Sequence, residues 1–127
     1  MLVATAATID QVSQQLCGQR FHASAIPMWV FEQKTLAFLL VNQAAVKGYG
    51  FSLSRFLSMT ILDIRPSEEI QRLLRETISP HQHKSKAEVW MHMRRDGAAF
   101  PVEIVGYELM YEGREAELIM ASPVRQK

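Results

Sequence analysis

The sequence predicts an α+β fold, a five-stranded antiparallel sheet with helices inserted between strands 2 and 3 and a further helix at the N-terminus. Two observations carry this prediction. Short apolar stretches separated by turn residues, which are typical of β-hairpins, fall into two groups on either side of the middle of the chain. Between the two groups lie helix-capping residues and an apolar pattern of helical period. The length of 127 residues fits one domain.

The first element in order is an amphipathic helix, predicted over residues 8–22. Thr8 and Gln11 have the spacing of a capping box. The apolar residues of this segment form only a narrow stripe, made of Ile9, Val12 and Leu16. Such a helix is expected to lie on the surface of another element rather than inside a core.

A hairpin follows, with strands predicted over residues 27–32 and 36–41 because residues 33–35 form a polar break between two apolar stretches. Asn42 is a good N-cap residue, so a short helix is expected directly after the second strand. The two glycines that flank Tyr49 are expected to end this helix.

Two brief helical turns are predicted next, over residues 55–57 and 62–64. The longest helix is predicted over residues 67–79, where Ser67 supplies the cap and Pro80 the stop. The apolar positions of this helix repeat at helical spacing and are Ile70, Leu73, Leu74 and Ile78.

The remainder of the chain is predicted to be three strands, over residues 87–95, 100–111 and 115–122. Asp96-Gly97 and Glu112-Gly113 are expected to form the two turns, because such pairs tolerate positive φ.

The predicted sheet is unusual in being apolar on both faces. Met28 and Val30 alternate with Trp29 and Phe31, and the last strand repeats this pattern. The inserted helices can cover one face, but the stripe of the N-terminal helix is too narrow to cover the other. We therefore predict a homodimer that buries the outer face.

Composition and charge restrict the function. The chain is 48% hydrophobic and 21% charged, as expected for a packed domain, and its formal charge of +1 gives no basic surface for nucleic acid. The longest apolar run, residues 36–41, is too short to span a bilayer, and residues 1–7 lack a basic leader. The one cysteine, Cys17, cannot form an intramolecular disulfide. We therefore expect a cytoplasmic protein.

Several short segments, in the correct order and spacing, resemble a PAS domain, the sensory box of bacterial-type signalling proteins. The resemblance covers residues 21–124, and the segments that carry it are residues 21–30, 41–45, 49–52, 61–66 and 94–97. The sequence departs from the family pattern at two points. Arg55 stands where Glu is frequent, and Pro123, Val124 and Arg125 replace the usual exit motif.

The resemblance implies a signal-transduction input module that binds a small molecule or relays a conformational signal. The output domain would be a histidine kinase of a two-component system, or a cyclic dinucleotide enzyme, in the same longer protein. The implied organisation is an N-terminal helix over residues 1–20, a PAS domain over residues 21–124, and residues 125–127 leading to a downstream domain.

The resemblance also places a ligand pocket between the sheet and the helices. Alternation in the third strand puts Trp90 and His92 on one face and Val89 on the other. The predicted ligand-binding residues are Trp90, Tyr107, His92, Tyr49, Met28 and Met59. The alternative is that these side chains only fill a core, which would make the chain a structural PAS dimerisation domain without a ligand.

No cofactor can be named, but two are disfavoured. Haem-binding PAS domains commonly use a histidine on the long helix, and residues 67–79 contain none. Relatives that form a cysteinyl-flavin adduct need a cysteine between the second strand and the long helix, and residues 42–79 contain none. His81 and His83 lack further ligands, so no metal site is predicted.

Catalysis is not expected, since the serines occupy caps and loops and no nucleophile motif is present. A small α+β enzyme with a site assembled from distant residues is the remaining alternative.

Overall fold

The computed structural model of the protein describes residues 19–78 and 88–124. Its helices are α1 (Gln19–Ala23), α2 (Gln43–Tyr49), α3 (Leu53–Phe56) and α4 (Ser67–Ile78), with a 3₁₀ helix at Ile61–Ile64 between α3 and α4. Its strands are β1 (Met28–Glu32), β2 (Phe38–Val41), β3 (Glu88–Met93), β4 (Ala99–Tyr111) and β5 (Arg114–Pro123). This order confirms the predicted α+β fold.

Some predicted features lie outside the described residues. Of the helix predicted over residues 8–22, only the end from Gln19 is described, and this part continues to Ala23 as α1. Cys17, His81, His83 and Arg125 also lie outside the described residues.

The five strands form one antiparallel sheet in the order β2-β1-β5-β4-β3. β1 and β5 therefore lie side by side, with Met28 opposite Met120. Just before β1, the carbonyl of Pro27 accepts a hydrogen bond of 2.9 Å from the Ala121 amide. The strands that come first and last in the sequence, β1 and β5, are thus paired with each other in the sheet.

The two turns in the second half of the chain differ. Glu112 and Gly113 both have positive φ, at 50° and 80°, which is the type I′ geometry expected between β4 and β5. Between β3 and β4 only Gly97 has positive φ, and the Arg94 amide donates to the Ala98 carbonyl around a longer loop. Asp96-Gly97 therefore lies in the hairpin turn as predicted, and Gly97 alone supplies the left-handed residue.

A buried asparagine joins three elements at one end of the sheet. The Oδ1 atom of Asn42, the N-cap of α2, accepts from the amides of Ala45 and Met28, both at 3.0 Å. Its Nδ2 group donates to the carbonyls of Phe21 and Ile26, also at 3.0 Å. Asn42 therefore caps α2 as predicted and also attaches α1 to β1, which no local sequence pattern indicates.

Both faces of the sheet carry apolar clusters, as predicted. The inner cluster lies between the sheet and helices α2 to α4 and includes Trp29, Phe56, Ile64 and Ile104. The outer cluster, on the opposite face, is made of Phe21, Val30, Leu109, Ala116 and Leu118, with further residues half-buried around it. The inserted helices therefore divide the sheet into a helix-covered inner face and an outer face that α1 meets through Phe21.

Candidate functional site

A tyrosine and a histidine form a buried polar pair within the inner cluster. Tyr49 is the last residue of α2, and its hydroxyl lies 2.6 Å from Nδ1 of His92 on β3. Both side chains are fully enclosed. His92 is brought inward because it follows Trp90 by two positions, so that strand alternation turns both residues to the helix-covered face.

Burial determines the protonation of this pair. Burial raises the pKa of Tyr49 above its usual value, so the hydroxyl keeps its proton. Burial, and secondarily the positive charge of Arg65, holds the pKa of His92 well below 6.5, so the imidazole is neutral. Since the hydroxyl has no other acceptor among the described residues, we assign the proton of this bond to Tyr49, which leaves the ring proton of His92 on Nε2.

A buried arginine faces the same pair. Arg65 follows the 3₁₀ helix, and its Cζ atom lies 4.5 Å from the centre of the Trp90 ring. Burial lowers the pKa of Arg65 to about 10, which still leaves the guanidinium charged at neutral pH. The cluster therefore contains one buried positive charge among aromatic rings.

Several nitrogen atoms of this cluster lack a partner. Within residues 19–78 and 88–124, no hydrogen-bond partner is found for Nε1 of Trp29, Nε and Nη1 of Arg65, or Nε2 of His92. The ring centres of Trp29 and His92 are 5.8 Å apart, and those of Trp29 and Tyr49 are 5.5 Å apart. Unpaired polar groups from β1, β3 and the segment before α4 thus converge in the layer between sheet and helices.

A second arginine closes the α4 side of this cluster. Arg72 places its Cζ atom 3.6 Å from the centre of the Trp90 ring, on which Arg65 also lies. Its Nη1 atom donates to the Val89 carbonyl at 2.9 Å, and its guanidinium pairs with Glu69 and Glu88 at 3.7 and 3.8 Å. Arg72 is 33% exposed, so these ion pairs are weak and its main effect is to hold α4 against β3.

The predicted ligand-binding residues fall into two groups. Trp90, His92, Tyr49 and Met59 are all buried in the inner cluster, although only His92 and Tyr49 are joined by a hydrogen bond. Met28 lies instead against the outer cluster, because alternation along β1 turns Trp29 inward. The prediction that Met28 lines the inner layer was therefore wrong.

The prediction that Tyr107 lines the inner layer was also wrong. Tyr107 is 41% exposed and lies opposite Leu118, a member of the outer cluster. Alternation along β4 explains this position, since Val102 and Ile104 point into the inner cluster and Tyr107 is an odd number of residues away from both.

Two residues of the cluster were missed from the sequence. Trp29 was seen only as part of a two-sided apolar strand, and Arg65 was seen as a loop residue before Pro66. Just before Arg65, the carboxylate of Asp63 accepts from the Thr60 amide at 3.0 Å in a capping box. The inward position of Trp29 follows from its register opposite Ile119, which only the structure shows.

No group of three or more His, Cys, Asp or Glu side chains within residues 19–78 and 88–124 is arranged to hold a metal ion. None of the helices described here is long and apolar enough to cross a membrane.

Solved structures similar to this chain are PAS and LOV domains. The PAS domain of a protein from Colwellia psychrerythraea matches with a TM-score of 0.74 at 13% identity, over 94% of this chain and 99% of that one. The PAS domain of an HTR-like protein from Haloarcula marismortui matches with a TM-score of 0.66 at 18% identity, over 95% of each chain. The LOV domain of a blue-light activated histidine kinase from Erythrobacter litoralis matches with a TM-score of 0.63 at 15% identity, over 80% of this chain and 97% of that one.

These similarities establish that the chain has the PAS fold, as the sequence resemblance predicted. No family model and no curated protein matches the sequence.

Proposed function

We propose that this chain is a sensory input module that binds a small molecule in its inner layer and relays the change to an output domain. The observation that carries the proposal is the set of unpaired nitrogen atoms on Trp29, Arg65 and His92. A buried polar group without a partner costs about 1–3 kcal/mol, so several such groups in one place point to a ligand that satisfies them.

The contacts around the cluster provide a path by which a movement caused by ligand binding would be transmitted to the rest of the sheet. The Tyr49 carbonyl accepts from the Arg95 amide at 2.9 Å, and Nε of Arg94 donates to the Gly48 carbonyl at 3.1 Å. The end of α2 is therefore attached to the β3–β4 hairpin. A ligand that moves His92 or Tyr49 would shift this hairpin relative to α2, and the movement would reach the rest of the sheet through β4 and β5.

The proposal is for a binding module rather than an enzyme. The pair of Tyr49 and His92 is buried and neutral, and neither group is poised to take or give a proton near neutral pH. A cytoplasmic location and an output domain such as a histidine kinase in the same longer protein complete the proposal. They rest on the sequence resemblance and, for the output domain, on similar structures that come from histidine kinases.

Native mass spectrometry of the freshly purified chain tests ligand binding directly. We expect a non-covalent adduct that is retained under gentle ionisation and lost on unfolding. The matched variant is Trp29→Phe, which keeps a ring but removes Nε1, and it should retain less of the adduct. A preparation of apo mass only, with no molecule of a small-molecule library raising Tm, would contradict the proposal.

A structural dimerisation domain without a ligand is the second candidate, and the outer face of the sheet favours it. Val89 and Tyr107 are 52% and 41% exposed on this face, next to half-buried methionines such as Met91. An apolar face of this kind is a common site of association. The homodimer expected from the sequence would use it, and this role is compatible with ligand binding at the inner layer.

A further inference from the structure

We infer that the ligand of the inner layer is a small organic anion whose carboxylate is bound by Arg65, with the N–H groups of Trp29 and His92 as further donors. This inference rests on the proposed function and adds the chemical class of the ligand.

The unpaired atoms are all hydrogen-bond donors. The indole Nε1 of Trp29 and the guanidinium nitrogens of Arg65 can only donate. Nε2 of His92 carries the ring proton because Nδ1 accepts from the Tyr49 hydroxyl. A ligand that satisfies this set must therefore supply acceptor oxygens, and a neutral hydrocarbon or a donor-rich amine would leave the same groups unpaired.

The buried positive charge of the cluster favours an anionic ligand over a neutral ligand with acceptor oxygens. Arg65 is buried, and no carboxylate within residues 19–78 and 88–124 forms a salt bridge with it. Glu69, whose negative charge acts to raise the pKa of Arg65, already accepts from the Met91 amide at 3.1 Å and pairs with Arg72 at 3.7 Å. A buried charge without a partner is costly, and an anionic ligand would remove this cost.

A carboxylate fits better than a phosphate. One guanidinium balances one negative charge, whereas a phosphate dianion would leave excess charge among apolar side chains. Guanidinium and carboxylate groups form strong charge-assisted hydrogen bonds. The inner cluster also contains Trp29, Trp90 and Phe56, whose rings suit an organic body on the acid.

The chain offers a direct optical probe for the test. Trp29 and Trp90 are its only two tryptophans, and both are part of this cluster. We would titrate the full chain with matched acid and amide pairs (propionate and propionamide, benzoate and benzamide, phenylacetate and phenylacetamide), and with inorganic phosphate, following tryptophan fluorescence and Tm. We expect at least one acid to bind saturably and about tenfold or more tighter than its amide, the fold-change that a lost charge-assisted hydrogen bond produces.

Two variants locate the binding. Arg65→Met removes the charge but keeps an apolar stem, and the acid should lose about tenfold or more in affinity. Arg114→Met is the matched control, since Arg114 is 54% exposed at the start of β5, where it pairs with Glu32 at 3.7 Å and is not part of the inner cluster. Its acid affinity should stay within about threefold of the unmodified chain. If Arg65→Met does not fold, the comparison of acids with amides on the unmodified chain decides.

The outcomes separate this inference from the proposed function. Amides that bind as tightly as their acids, or an acid whose affinity is the same in Arg65→Met, would overturn the anion assignment and leave a ligand-binding module. A neutral ligand found by native mass spectrometry would likewise overturn the anion assignment and leave a ligand-binding module. A panel without any saturable response, together with an apo mass, would overturn both.

Discussion

The Tyr49 hydroxyl and Nδ1 of His92 lie 2.6 Å apart and are separated by 43 residues in sequence. Aromatic rings surround the pair, with Trp29 and Phe100 both in ring contact with His92. The bond therefore joins α2 to β3 through a layer from which water is excluded. In such surroundings a polar group without a hydrogen-bond partner has a high cost in folding free energy, so substitution of either residue should lower stability.

Tyr49→Phe should destabilise the fold by about 1–3 kcal/mol, because it leaves Nδ1 of His92 buried without a partner. Chemical denaturation with urea measures this loss. Tyr107→Phe is the matched control, since Tyr107 is exposed on the outer face and its loss should stay within about 0.5 kcal/mol. Equal effects of the two substitutions would show that the buried bond contributes nothing.

Stability should fall on acidification below about pH 6.5 because of His92. Burial and the charge of Arg65 hold the folded-state pKa of His92 well below 6.5, while in the unfolded chain it titrates near that value. The unfolded state then binds one more proton, so this contribution is complete above about pH 6.5 and decreases by about 1.4 kcal/mol per pH unit below it, until the folded-state pKa is reached.

Urea denaturation at a series of pH values from 8 to about 5 checks this, with His92→Gln as the comparison that keeps the other titrating groups. The slope of unfolding free energy against pH should be steeper in the unmodified chain than in the variant. Parallel slopes would mean that folding does not lower the pKa of His92.

Leu73→Ala should cost about 2–5 kcal/mol, because Leu73 is a buried residue of α4 that packs into the inner cluster. Gln71→Ala in the same helix is the control, since Gln71 is exposed and the substitution should change little. Denaturation with a loss below about 1 kcal/mol for Leu73→Ala would show that α4 is not firmly packed on the sheet.

The homodimer predicted from the sequence should involve the outer face of the sheet. Tyr107→Asp places a charge there and should weaken association, whereas Leu57→Asp, at an exposed residue after α3, should not. Sedimentation velocity over a wide concentration range measures both, with and without residues 1–20. A chain that stays monomeric at every concentration, and is equally stable without those residues, would refute the dimer.

Much of the fold was predictable because its signals are local. The cap at Asn42 and the polar break at residues 33–35 depend on neighbouring residues only, and both elements formed where they were predicted. On β3 alternation placed Trp90 and His92 on one face and Val89 on the other, and Trp90 and His92 do lie on the inner face. In these places local pattern and tertiary contact agree.

The candidate site was less predictable, because its composition depends on the register of the strands and on the burial of a charged residue. Met28 and Trp29 are both apolar, so alternation along β1 has no phase until Trp29 is paired with Val41 and Ile119. Arg65 has the side chain of a surface residue, and only the packed structure reveals its burial beside Trp90. Tyr107 is different, since alternation from Val102 along β4 already contained the correct answer.

The hydrogen bond between the Pro27 carbonyl and the Ala121 amide places the start of β1 beside the end of β5. The chain reaches β1 and leaves β5 at neighbouring points, about one strand spacing apart, since Met28 stands opposite Met120. A unit with adjacent ends can be inserted at a single place in a host sequence, or repeated in tandem, without separating its flanks. If β5 slid past β1, the segment that precedes β1 and the segment that follows β5 would move at the same time, in opposite directions relative to each other.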